Sequence, residues 1–528
     1  MAEAQRRLRE QAGRWLLILD FGSQTTQLIA RRFRELKIYC EVHPATLRAA
    51  DVERMGPAAL VLSGGPGSAT QAGAIDADPA LLGLGLPVLG ICYGMQWMAH
   101  VQGGRVVSSG QREFGRASLS LASSLPSHGR AFTHAFAQGP ADVWMSHGDS
   151  VAALPDDFVP LAHTKGCPLA GMVHVERPLF GLQFHPEVSH SAGGTALLAG
   201  FAFDVAGLRP NWTVETFLAA ERERLAQQIG ERDQVVCALS GGVDSSVAAA
   251  LLGQVLGSRL HCIFVDNGLL RAGERAQVEE VFGHALGLPL QVVDAQAAFL
   301  ARLEGVTDPE QKRRAIGHAF IEVFEREAKR IDGVRFLAQG TLYPDVIESH
   351  AKGHSAAIKS HHNVGGLPAA MRLSLVEPLR TLFKDEVRRL GEALGLPHHL
   401  CHRQPFPGPG LAIRALGAVT HERLATLRRA DEIVQQEVAA SHVAERLWQA
   451  FAVLLPVRSV GVMGDARTYE ETMVLRAVES ADGMTADWAR LPYELLEAIG
   501  SRVINEVPGI NRVTYDISSK PPATIEWE

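Results

Sequence analysis

Four short stretches carry side chains suited to covalent or phosphate chemistry. In VLGICYGMQ (88–96), Cys92 follows an apolar run and precedes a helix-like one, with glycines at 90 and 94. A thiol on such a tight strand-to-helix turn is exposed, and the N–H groups of the following helix favour the reactive thiolate. Taken alone, the nonapeptide reads equally well as a buried structural cysteine. QFHPE (183–187) supplies the missing partners: His185 at a strand end as general base, Glu187 to orient it, and Pro186 to fix the backbone between them. SGGP (63–66) offers loop N–H donors around Gly64 and Gly65, suited to an oxyanion hole.

The fourth stretch is SGGVDSS, comprising Ser240, Gly241, Gly242, Val243, Asp244, Ser245 and Ser246. Successive N–H groups from Gly241 to Ser246, serine hydroxyls and the start of a helix near Val243 make a phosphate cradle. It lacks the lysine of GxxxxGK[ST]. Asp244 beside a phosphate calls for a divalent cation between them, so Mg²⁺ is expected there. The bland alternative is a helix cap, for which the same residue types serve.

The elements that must hold these stretches follow from apolar periodicity. WLLILDFG (15–22), AALVLSGGP (58–66) and PVLGICYG (87–94) read as buried strands, and TTQLIARRFREL (25–36) as an amphipathic helix, an α/β pattern with a largely parallel sheet. From about 103 to 190 short strands and turns are expected, then the helical run TALLAGFAFDVAG, with 208–211 as a linker. A second α/β set begins with QVVCALS (234–240) and continues through RLHCIFVDNG, LPLQVVDA and RFLAQGT. The polar, Gly-rich span 350–368 reads as a long loop, and FPGPG (406–410) punctuates the chain before a smaller α+β segment.

Bulk properties set limits. A chain of 528 residues accommodates three or so domains; 46% hydrophobic and 21% charged residues describe an ordinary globular protein. A net charge of −7 gives no reason to expect a nucleic-acid surface, and no apolar run reaches membrane-helix length. Six cysteines without CxxC pairing argue against a disulfide framework or zinc site, and a reducing cytoplasm is the simplest compartment. The charged N-terminal stretch has no signal-peptide core, and residues up to about Gly13 are expected to form a loosely held extension.

With elbow, His-x-Glu and SGGP together, residues ~14–205 resemble a class I glutamine amidotransferase domain, in which Cys92, His185 and Glu187 match the triad. In that family the cysteine forms a glutamyl thioester and releases ammonia. SGGVDSS after QVVCAL resembles the loop of ATP-pyrophosphatases, which cleave ATP between the α- and β-phosphates. The resemblance implies an adenine-nucleotide α-hydrolase-like sheet with adenine near Val265. GTLYPDVIES (340–349), IKSHHNVGGLP (358–368), PFPGPGLAIR (405–414) and the tail YDISSKPPATIEWE (515–528) resemble the glutamine-hydrolysing GMP synthetase family, over nearly the whole chain.

That resemblance implies a homodimeric enzyme that aminates XMP using ATP, glutamine and Mg²⁺. It also implies a division into an extension (1–13), an amidotransferase domain (14–209), an ATP-pyrophosphatase domain (210–404) and a C-terminal dimerisation and XMP-binding domain (405–528). Arg313, Lys520, Ile525 and Glu526 match XMP-contacting positions, and Asp465 is a further one. Lys520 would serve the phosphate and Glu526 accept from the purine edge. Asp345 in YPD is expected beside ATP and metal; Lys359 and Lys384 are phosphate ligands or plain solvated lysines. Histidines 350, 354, 361 and 362 have no cysteine nearby and irregular spacing, so the span reads as a lid rather than a zinc site. An NAD-synthetase-like or asparagine-forming ligase shares the ATP chemistry, but the Cys elbow and tail disfavour both. A regulatory nucleotide binder would need a broken triad or loop.

Overall fold

The apolar runs fold into parallel-sheet layers whose carboxyl ends carry the chemistry-bearing loops. The computed structural model describes every residue except 1, 24, 72, 73, 76, 137, 138, 189, 352–372, 464, 465 and 481–484; at 2–4, 109–112, 131, 133–135, 348–351 and 463 only the backbone is described. The chain forms two compact units. One is Met1–Arg224 with the stretch beginning at Pro344; the other is Leu225–Tyr343 with the described residues from 373 onward.

In the first unit, β1 (Leu16–Asp20), β2 (Cys40–Pro44), β3 (Ala59–Leu62), β4 (Val88–Ile91), β5 (Arg105–Leu121), β6 (Ala141–Ala153), β7 (Phe158–His163), β8 (Gly171–His174) and β9 (Leu179–Leu182) build a nine-stranded sheet. Its order is β2-β1-β3-β4-β9-β8-β7-β5-β6. The first five in that order run parallel and the remaining pairings are antiparallel. Strands β3, β4 and β9 are buried throughout, as a sheet covered on both faces requires.

Three expectations are corrected in this unit. The segment before Gly13 is a helix, Ala2–Ala12, and it is docked: Arg9 donates to both oxygens of buried Glu41 at 2.8 and 2.7 Å, and Leu8 is buried. In the span after 103, β7, β8 and β9 are short as expected, but β5 and β6 are long and pair over most of their 17 and 13 residues. The expected linker is bonded to the sheet edge: Asn211 accepts from Tyr39 N and donates to the carbonyls of Ala12 and Arg14. Polar side chains that satisfy a strand end make poor linkers.

In the second unit, β10 (Gln234–Leu239), β11 (Leu260–Asp266), β12 (Leu290–Asp294), β13 (Val334–Ala338) and β14 (Ser374–Val376) form an all-parallel sheet in the order β12-β11-β10-β13-β14. Chain order reverses at β10, which has β11 on one side and β13 on the other. Ligands of open parallel sheets bind outside the strand ends at such a switch point. A mixed sheet of β15 (Gln449–Met463), β16 (Ala466–Glu479), β17 (Asp487–Trp488) and β18 (Ile510–Asp516) completes the unit. Residues on both sides of position 404 share one hydrophobic core, running from Val236 and Ile263 through Leu411 and Leu427 to Leu454 and Ile499.

Candidate active sites

The first site lies where β3, β4 and β9 end side by side. Cys92 caps the helix Tyr93–Val101 with φ +50°, a left-handed conformation uncommon for a side-chain-bearing residue and a mark of stored strain at a functional turn. The elbow tolerates no Cβ at Gly94, where one would sit 2.4 Å from Leu62 O on the neighbouring strand. The turn therefore packs directly on β3, and the thiol is presented at a helix N-terminus. Gln183 Nε2 lies 3.6 Å from Cys92 Sγ, and Ser146 O lies 3.8 Å from it.

His185 and Glu187 follow β9. His185 Nδ1 meets Glu187 Oε1 at 2.7 Å, with the carboxylate fully buried and the imidazole nearly so. The Glu187 backbone is fixed in turn by Arg32 Nε, which donates to its carbonyl at 2.9 Å. Burial opposes a charge on His185, but hydrogen bonds to Cys92 and Glu187 and their attraction prevail and raise its pKa to about 10. A thiolate–imidazolium pair backed by a carboxylate is the state a cysteine nucleophile needs.

Gly64 and Gly65 follow β3 and close the site from the other side. A Cβ at Gly64 would come within 3.4 Å of His185 Cε1, and one at Gly65 within 3.1 Å of the Tyr93 ring. The loop thus lies against both catalytic segments, as an oxyanion donor must. Beside the thiol opens a pocket of about 440 Å³, lined by Gly65, Gly67, Ser68, Gln96, Phe114 and the Ser146–Asp149 segment. That volume suits a small polar metabolite. His147 is part of this wall. Burial pushes its pKa down, and its Nδ1 is held 3.1 Å from Asp149 O.

The second site is the loop after β10. Gly241 has φ +72°, which the reversal into the helix Val243–Leu256 demands. Ser240 Oγ and Ser245 Oγ sit 3.0 Å apart, while Ser245 and Ser246 donate to Gly242 O at 3.1 and 2.8 Å. A lysine from elsewhere in the chain reaches this loop. Lys384, first residue of the helix Lys384–Ala393, places Nζ 2.6 Å from both oxygens of Asp244. Arg403 adds a second cation, donating to Gly241 O and pairing with Glu274. Sequence reading named Lys384 only as one of two options and missed Arg403, because both lie more than a hundred residues from the loop. Val265 is the penultimate residue of β11; its side chain is buried, and the register with β10 ends one residue earlier at Phe264.

The C-terminal tail is held by buried cations. Arg414 donates to both oxygens of Glu526, at 3.0 and 2.8 Å, with its guanidinium over the Phe451 ring. Lys312 Nζ reaches Glu528 Oε2 at 2.5 Å and two backbone carbonyls, while Arg313 donates to Glu528 O at 2.6 Å. Arg476 donates to the carbonyls of Ser518 and Thr524. Ile525 packs against Phe451, Val453 and Val474, and Lys520 forms a backbone bridge with Ala486. A frayed terminus is excluded by this set of contacts. Arg313, Lys520, Ile525 and Glu526 therefore lie on or against one anchored segment. Lys312, Arg414 and Arg476, which anchor it, were missed; cations on otherwise buried faces were the available signal.

Asp345 sits in the first turn of the helix Tyr343–Ala351. Asp465, Lys359 and histidines 354, 361 and 362 lie outside the described residues, as do the side chain of His350 and most of the expected lid.

Comparison with known proteins adds three family matches. Residues 17–205 match the glutamine amidotransferase class-I family, 233–303 the tRNA methyl transferase HUP domain, and 436–527 the GMP synthase C terminal domain. The chain is 56% identical over 515 residues to the glutamine-hydrolyzing GMP synthase of Solidesulfovibrio magneticus, covering 97% of this chain and 99% of that protein. Proteins with the same description from a Nitratiruptor species and from Geobacillus kaustophilus are 55% and 52% identical, over 97% of this chain and 99% of each.

Proposed function

The chain belongs to the glutamine-hydrolysing GMP synthase family, and from that premise we propose how its own residues divide the reaction. The reaction is amination of XMP to GMP, driven by ATP cleavage to AMP and pyrophosphate, with nitrogen taken from glutamine. At the first site the Cys92 thiolate attacks the glutamine carboxamide carbon. The developing oxyanion takes hydrogen bonds from the Gly64 and Gly65 loop. Protonated His185, held by Glu187, gives its proton to the departing nitrogen, so ammonia leaves and a glutamyl thioester remains. His185 then deprotonates the water that hydrolyses the thioester to glutamate. The 2.7 Å His185–Glu187 contact behind the strained Cys92 elbow is the observation that carries this reading.

At the second site the loop 240–246, with Lys384, grips the β- and γ-phosphates while an XMP oxygen attacks the α-phosphorus. Pyrophosphate leaves, AMP stays on XMP, and ammonia then displaces AMP. Asp244 would hold Mg²⁺ once Lys384, which now occupies both its oxygens, turns to the phosphates; one carboxylate with phosphate oxygens and waters is a donor set that ion favours. When bound it supplies neutralisation of charge on the leaving pyrophosphate. Asp345 as a second metal ligand and Val265 beside adenine rest on their sequence motifs. Lys520, Arg313, Ile525 and Glu526 form the XMP side of the site, with Asp465 assigned on sequence alone, and the division 14–209, 210–404 and 405–528 follows the same family pattern.

The enzyme is read as a cytoplasmic homodimer that binds no nucleic acid and no membrane. All six cysteines are free, which suits a reducing compartment, and no described helix is long and apolar enough to cross a membrane. Exposed Val457, Val462 and Tyr469 on the β15–β16 hairpin are apolar surface that a second copy would cover. Replacing Cys92 by Ala is the direct test. GMP formation from glutamine should be abolished while formation from added ammonium is kept; loss of both in a folded variant would refute the two-site division.

A further inference from the structure

Beside the glutaminase pocket lie three side chains that neither half of the reaction uses. Glu113 on β5 and His147 on β6 are direct cross-strand partners, and a register shift just before Glu113 sets its direction. Cys167 closes the turn after β7, where Thr164 N donates to Cys167 O and Cys167 N to Thr164 Oγ1. One carboxylate oxygen, one imidazole nitrogen and the sulfur all lie within 4.8 Å of one another.

The His147 ring shows which atom is available. Its Nδ1 faces Asp149 O, a carbonyl that can only accept, so Nδ1 carries the proton and Nε2 the lone pair. That Nε2 is buried with no hydrogen-bond partner, and it points at Glu113 Oε2 from 3.7 Å. Leaving a buried acceptor unmatched is costly, because it loses its water without gaining a partner. The neighbouring groups are already oriented as outer partners would orient ligands: Thr164 Oγ1 donates to Glu113 at 3.1 Å, and Asp149 O fixes the imidazole.

We propose that Glu113, His147 and Cys167 form a binding site for a divalent metal ion of the zinc class. Sulfur, imidazole nitrogen and carboxylate oxygen are the donors zinc takes, and three protein ligands leave a fourth position for water. Ligand atoms in a tetrahedral zinc shell are roughly 3.5 Å apart, so the trio has about an ångström to close. Burial and the Glu113 charge raise the Cys167 pKa to about 11, so the metal-free thiol is protonated at neutral pH. On binding, the S–H bond breaks, the proton goes to solvent and the sulfur–metal bond forms. The ion ties together β5, β6 and the turn after β7. Through His147 it fixes one wall of the glutaminase pocket.

Cobalt(II) reads this site selectively, because a thiolate ligand gives it a near-ultraviolet charge-transfer band. The exposed Glu392–His398–His402 cluster also groups metal-binding side chains, but it has no thiol and stays silent in that band. The full chain carrying Cys92→Ala, which removes the other pocket thiol, is titrated with Co²⁺. One equivalent should develop the band, and Zn²⁺ should erase it. Cys167→Ser should abolish the band, and Glu113→Gln and His147→Gln should each weaken Co²⁺ binding about tenfold or more. No band at saturating Co²⁺, or a band that survives Cys167→Ser, overturns the site. If Cys167→Ser fails to fold by circular dichroism, the other two variants decide, and unchanged affinity in both overturns it.

Discussion

At the scale of the residue, the chemistry of the first site is set by one proton. His185 in the fold holds it far more tightly than a free imidazole, with a pKa raised to about 10 against an ordinary value near 6.5. Because the folded state binds the proton more strongly, this pairing contributes its full stability below about pH 6.5 and loses it as the pH rises toward 10. Glu187→Gln removes one of the groups that raise the pKa. We expect His185 to titrate at lower pH, followed by NMR of its ring, and glutamine-dependent turnover to fall by about 10²–10⁴ while ammonium-dependent synthesis holds. An unmoved titration would show that Glu187 does not orient His185. Cys92, His185 and Glu187 were legible because each sits in a short motif at a strand end. His147 was not, since its neighbours come from β5 and from the turn after β7.

At the scale of the element, two helices meet at the nucleotide loop. The helix Val243–Leu256 brings N–H groups and Asp244; the helix Lys384–Ala393 brings the cation from its first residue. A lysine at a helix N-terminus is electrostatically unfavourable there, and its carboxylate partner on the facing helix compensates. Lys384→Met keeps the length of the side chain and removes the charge. It should raise the KM for ATP about tenfold in pyrophosphate release driven by ammonium, the scale of one lost charge-assisted hydrogen bond. A KM unchanged within error would return Lys384 to the solvated surface. The strands and the loop could be anticipated because apolar period and glycine placement are local signals. The long β5–β6 pair was misjudged because its edges carry glycine and serine, which read as turns, while cross-strand pairing holds them extended.

At the scale of the whole molecule, the tail is anchored on the C-terminal sheet, where Ile525 packs against Phe451, Val453 and Val474. Glu526 is the counter-charge of Arg414, which is fully buried with Asp431 also 3.9 Å away. Glu526→Ala should cost about 3 kcal/mol in urea unfolding, the low end for breaking a buried pair because Asp431 remains, and it should raise the KM for XMP. A variant as stable as the parent would mean the tail is held without this pair. The residues alone determined the two chemistries, the parallel sheets and the family, because motifs and apolar periods are written in consecutive positions. Only the tertiary structure decided that Lys384 pairs with Asp244 of SGGVDSS, that the tail is anchored, that the N-terminal helix is docked, and that Glu113, His147 and Cys167 meet. Each of these is a contact across tens to hundreds of residues, formed when burial of apolar strands leaves polar groups to find partners in space.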